Sequence, residues 1–206
     1  MKNIITIQHT QSVHHTNGMV GSWTNWDLSD LGKQQAELIG KNLKEELGDK
    51  KYVMYSSDLK RAVQTAGSIA AHLAIKPVIT EVLRERNLGD AVGKSVQWLR
   101  DNMECKEQTI DDRMFHNAES RRDVWNRLKG FYDCLMENSE ENIILVSDGD
   151  TLSIFNIMWL GLPAEALNSI DLFGKAGGVS FFQASDDGKH KIFRLSDLSY
   201  MKAGMD

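Results

Sequence analysis

Residues 52–73, YVMYSSDLKRAVQTAGSIAAHL, carry the pattern that decides the fold. Tyr52–Tyr55 is a short apolar and aromatic run of strand character, the polar cluster Ser56-Ser57-Asp58 supplies a cap, and Leu59–Leu73 continues as a helix. A strand that turns through a cap into a helix is half of a strand–helix–strand unit, and the chain repeats the device on both sides. Upstream, Asn3–Ile7 reads as a buried strand, and Ser29 caps a helix through about Leu47 with Leu31, Leu38, Ile39, Leu43 and Leu47 at helical spacing. Downstream, Pro77–Thr80 reads as a third strand, and residues 93–102 and 120–138 as helices. Between those helices the polar stretch from Cys105 to Glu119 has no period and is the best candidate for a pocket lid.

Ile143–Val146 is a fully apolar strand, and Thr151–Leu160 a helix, with Asp150 as its N-cap, that stops at Gly161 and Pro163. Val179–Gln183 and Lys191–Leu195, joined through a turn at Asp187-Gly188, close the chain as a hairpin. Alternation of this kind predicts a three-layer α/β/α sandwich, with a mainly parallel sheet and an antiparallel edge strand from the last hairpin. No repeat, linker or low-complexity tract divides the chain, so residues 1–206 are expected to form a single domain.

Net charge is -5, with lysine and arginine spread along the whole chain, so no basic face draws a phosphate backbone and nucleic acid is excluded as the expected partner. The opening MKNIITIQHT lacks the apolar stretch of a secretory signal, and no window approaches the ~20 apolar residues of a membrane span. The expectation is a cytoplasmic protein with no membrane partner. Cys105 and Cys134 have neither the number nor the spacing of a disulfide framework or a zinc site, and are expected to be partly buried thiols.

In sheets of this kind ligands lie beyond the carboxyl ends of the strands. Three marked segments fall there: Gln8-His9-Thr10, Ser56-Ser57-Asp58 with Arg61, and Ser147-Asp148-Gly149-Asp150. In SSDLKRAVQTA, residues 56–66, a helix N-terminus and the Arg61 guanidinium can face one anion, against the plainer reading of an Arg61–Asp58 pair at i, i+3.

That stretch resembles the histidine phosphatase superfamily, phosphoglycerate mutase-like branch. The resemblance covers nearly the whole chain: Gln8 through Gly18, Trp23, Leu28, Gly32-Lys33-Gln34-Gln35-Ala36-Glu37, Leu83-Arg84-Glu85, and LVSDGDTLSIFNIMWLGLP at 145–163. It implies a phosphoglycerate mutase-like fold and a two-step route in which His9 takes a phosphoryl group and water later frees it. Glu85 would be the proton donor to the leaving oxygen, Arg61 a bidentate phosphate clamp, and Asp148 the third catalytic position. Gln8, Thr10, His15 and Gly149 would complete the substrate-binding set around a small phosphorylated molecule, with no cofactor and no metal.

Three departures mark the site. The family's opening arginine-histidine-glycine is Gln8-His9-Thr10 here, its second histidine is Asp148, and an asparagine of the first loop is His15. Two cationic ligands are lost and one anion is gained. A unit charge ~4 Å from phosphate is worth on the order of 4 kcal/mol at an effective dielectric near 20, so compensation is needed. Candidates are His14 and His15, Arg84 or Arg86, or a metal held by Asp148, Asp150 and the histidines His9, His14 and His15; but Asp150 reads better as a cap. Trp23, Trp26, Trp98, Trp125 and Trp159 read as packing residues. The chain is short for a mutase of this family, which favours a phosphohydrolase; the rival reading is a catalytically impaired member serving as a ligand- or partner-binding module.

Overall fold

A computed structural model of the chain describes residues 1–203. In β1 (Lys2–Gln8) successive side chains alternate faces, so Ile4 packs on one side and Ile5 and Ile7 on the other. A single helical turn, α1 (His14–Asn17), precedes α2 (Asp30–Leu47), whose cap residue Ser29 accepts the Gly32 N–H. Then come β2 (Val53–Ser56), α3 (Lys60–Leu73), the two-residue β3 (Val78–Ile79), α4 (Val96–Asn102) and α5 (Arg121–Glu137). β4 (Asn142–Ser147), α6 (Gly149–Trp159), β5 (Val179–Ala184) and β6 (His190–Asp197) complete the chain.

The strands form one sheet in the order β3-β2-β4-β1-β5-β6. β3, β2, β4 and β1 are parallel, while β5 runs antiparallel to both β1 and β6. α2 and α3 cover one face, with Ile39, Leu43 and Ile69 against Ile5, Ile144 and Val146. α5 and α6 cover the other, with Val124, Leu128 and Phe155 against Ile4, Ile143 and Leu145. Each such aliphatic side chain taken from water contributes roughly 1.5–3 kcal/mol, which fixes the three-layer α/β/α architecture that the alternation predicts.

The structure differs from the sequence expectation at element ends. α6 begins at Gly149 rather than Thr151, and Asp150 lies in its first turn instead of capping it. The reason is remote: the Asp150 and Thr151 N–H groups donate to the Glu85 carboxylate, which caps the helix from another loop. α3 begins at Lys60 because the Ser57 Oγ accepts the Leu59 N–H, and Asp58 pairs with Arg84 rather than Arg61. Leu31 faces solvent. Both cysteines are exposed rather than partly buried; Cys134 falls off the α5 stripe of Val124, Leu128 and Leu135 that meets the sheet. The Cys105–Glu119 stretch is seated by buried Ile110, Phe115 and Ala118 and sends Glu107 into the cleft, so it forms a wall.

Parallel β1, β2 and β4 end on one edge and deliver His9, Arg61 and Asp148 there. The loop after β1 is tied to α2 by Thr10 Oγ1, which donates to the Gly32 carbonyl at 2.8 Å. A Cβ on Gly32 would stand 1.9 Å from the Gln11 carbonyl oxygen, a backbone atom that cannot step aside. Gly32→Ala is therefore expected to destabilise the chain by about 1–3 kcal/mol, read as a lower denaturant midpoint. Gly130→Ala, facing open space within α5, is the control and should stabilise slightly.

Candidate active site

The edge opens into a cleft of ≈ 720 Å³ lined by His9, Arg61, Glu85 and Asp148, with His14 and His15 on one wall. His9 is 3% exposed, and its Nδ1 lies 2.8 Å from the Thr10 carbonyl. A carbonyl only accepts, so Nδ1 carries the proton and the neutral ring keeps a lone pair on Nε2. Burial first, and then the Arg61 charge, hold the His9 pKa well below the ordinary imidazole value, so the neutral form prevails at pH 7.

Asp148 is completely buried, and its Oδ1 sits 3.3 Å from His9 Nε2. The same oxygen accepts from Arg61 Nε at 2.5 Å. Arg61 is 1% exposed, and its Nη1 and Nη2 donate to the carbonyls of Thr24 and Ser22 at 3.0 and 2.8 Å. All three nitrogens of the fork expected to clamp phosphate are engaged within the protein. Ser22 is held at φ 40°, a left-handed conformation costing a non-glycine residue on the order of 1 kcal/mol, and so aims its carbonyl at Arg61.

Glu85 accepts the N–H groups of Arg86, Asp150 and Thr151 at 2.9, 3.2 and 3.3 Å. Burial, followed by repulsion from Asp148 and Asp150, pushes its carboxyl up to about 7. Burial also raises Asp148, against the pull of Arg61. With Arg61 at its side, Asp148 is the better place for the negative charge, and Glu85 is the member of the pair that holds the proton at neutral pH.

Of the other expected residues, Gln8, His15 and Gly149 line the cleft. Thr10 does not: its hydroxyl turns inward to Gly32 and Thr65, and only its carbonyl serves the site, through His9. Arg84 leaves for Asp58 and lies over the Trp23 ring, whereas Arg86 lines the cleft, paired with Glu107 at 2.6 Å and Asp150 at 3.0 Å. Arg121, Asp171, Phe173 and Lys175 also line it. These four gave no signal in the sequence; three come from the aperiodic loop before β5 and one from the start of α5.

The carboxylates of Asp148 and Asp150 are taken by arginines, the first by Arg61 and the second by Arg86 and Arg121, and so are not a ready cation pair. None of the five tryptophans lines the cleft; Trp159 is in the core, and Trp23 Nε1 donates to the Glu85 carbonyl. No helix among the described residues is long and apolar enough to cross a membrane.

The chain is 25% identical over 203 residues to a glucosyl-3-phosphoglycerate phosphatase of Mycolicibacterium vanbaalenii, covering 89% of this chain and 84% of that protein. It is 26% identical over 176 residues to a 2,3-bisphosphoglycerate-dependent phosphoglycerate mutase of Bartonella bacilliformis, covering 81% and 85%. Among solved structures, YhfR of Bacillus stearothermophilus has the same fold, with a TM-score of 0.83 at 21% identity over 98% of this chain and 100% of that one. The sequence profile of the histidine phosphatase superfamily (branch 1) matches residues 4–195, and the chain is a member of that superfamily.

Proposed function

We propose that this chain is a phosphohydrolase that cleaves a small phosphorylated metabolite through a phosphohistidine on His9. The observation that carries the reading is the His9 tautomer: Nδ1–H is committed to the Thr10 carbonyl, leaving the Nε2 lone pair at the cleft beside a carboxyl whose pKa sits near neutrality. Nε2 attacks phosphorus, the bond to the leaving oxygen breaks, and the Glu85 carboxyl gives that oxygen its proton. Water then attacks phosphorus and gives its proton to the Glu85 carboxylate, the phosphorus–nitrogen bond breaks with its electron pair returning to His9 Nε2, and phosphate leaves. Phosphatases among the relatives support hydrolysis as the outcome.

In this scheme the acid form of Glu85 starts the cycle. The rate of phosphoenzyme formation is expected to fall as pH rises through about 7, and Glu85→Gln should remove that limb while lowering the rate by about 10²–10⁴-fold. Single-turnover rates across pH check both points, and an unchanged profile in the variant would reassign the acid.

The Arg61–Asp148 lock favours a second reading, a binding module of the same fold, because the phosphate clamp is already occupied. A panel of phosphate monoesters, assayed in chelator, separates the two. Phosphate release that depends on His9 supports the phosphohydrolase, and silence together with measurable ligand binding supports the module.

A further inference from the structure

We propose that His9, His14 and His15 form a binding site for one borderline-soft divalent transition metal of the Zn²⁺ class. The ligand nitrogens of the three rings all lie within 4.8 Å of one another. A tetrahedral ion with nitrogen ligands at 2.0–2.1 Å needs them roughly 3.3 Å apart, so the rings must close by a modest step. The loop around α1 can make it, since His15 is exposed and His14 half-buried.

Outer contacts already suit the role. A metal-binding histidine gives its other N–H to a carbonyl or carboxylate, and His9 does so at Thr10. His14 Nδ1 lies 2.9 Å from Ser12 Oγ, which orients that ring in the same manner. His15 needs one adjustment: its Nδ1 accepts the Ser12 N–H at 3.2 Å, so Nε2 carries the proton and the exposed ring must turn over to ligate. That gives up one hydrogen bond, a small loss against the free energy of zinc binding.

A second, independent observation asks for a cation here. His9 Nε2 lies 3.3 Å from Asp148 Oδ1. The other Asp148 oxygen, Oδ2, is buried and has no hydrogen-bond partner. An ion bound to Nε2 would meet the Asp148 carboxylate. An ion on Nε2 takes the lone pair that attacks phosphorus, so metal binding and phosphoryl transfer through His9 exclude one another. The inference therefore goes beyond the metal-free phosphohydrolase reading.

Metal-stripped protein titrated with Co²⁺, followed by visible absorption without substrate, tests it. One Co²⁺ per chain is expected, displaced by one Zn²⁺, with affinity falling at least about tenfold in His14→Ala and in His15→Ala. His116→Ala, in the exposed group Asp90, Glu104 and His116, should leave the affinity unchanged. Circular dichroism establishes that each variant is folded. No Co²⁺ signal, a signal indifferent to both His14 and His15, or one lost in His116→Ala overturns the site. Because no substrate is present, this result stands apart from the phosphatase assay run in chelator, and either reading can fail alone.

Discussion

His9→Ala is expected to abolish labelling of the protein by a phosphate ester and to lower turnover by at least about a thousandfold. The size follows from the proposed division of labour. Among the described residues His9 is the one histidine against Asp148, its Nε2 lying 3.3 Å from Oδ1, whereas His15 turns its Nδ1 to Ser12 and His14 contacts Ser12 Oγ. An alanine at position 9 would also remove the ring that lies against Asp148, leaving the carboxylate without its neighbour but with Arg61 still in place. The measurement is acid-quenched labelling with a radioactive ester, alongside release of phosphate. Persistent label in the alanine variant would mean a different nucleophile and would remove the basis of the mechanism.

The second large effect concerns stability. Arg61→Met should destabilise the fold by about 3–5 kcal/mol, because it strands the buried Asp148 carboxylate and removes the donors from the Ser22 and Thr24 carbonyls. Adding Asp148→Leu should recover much of the loss, since an apolar pair replaces an ion pair that needed both members. Denaturant midpoints at constant slope report it. An Arg61→Met variant within about 1 kcal/mol of wild type would show the guanidinium free to swing toward solvent. In that case it is available as a phosphate clamp, and the lock described above does not exist.

Much of the fold was legible because it rests on local pattern. Apolar runs at β1 and β4 and helical stripes in α2 and α3 are short-range signals, and burial on two faces of one sheet follows from them. His9, Glu85, Asp148, Gln8, His15 and Gly149 were legible as cleft residues because they stand at strand ends or on segments that match the family. What stayed hidden depends on contacts distant in sequence. The cap of α6 comes from Glu85, 65 residues before Asp150. Arg61 reads as a clamp because the substitution that engages it lies 87 residues away at Asp148. Thr10 sits where the chain leaves the sheet, and whether its hydroxyl faced the cleft or α2 was decided by Gly32, which no spacing rule connects to it.

The remote cap on α6 joins the fold to the proton. A carboxyl that holds its proton more tightly in the folded chain than in the unfolded one, as Glu85 does between about 7 and its ordinary 4.5, stabilises the fold fully at pH values below the lower figure. That contribution drains away as pH climbs through the upper one. Asp58, drawn down by Arg84, has the opposite slope and loses its contribution in acid. The carboxyl proposed to drive the chemistry is thus also a thermodynamic link between ambient proton activity and the anchoring of the helix that follows β4.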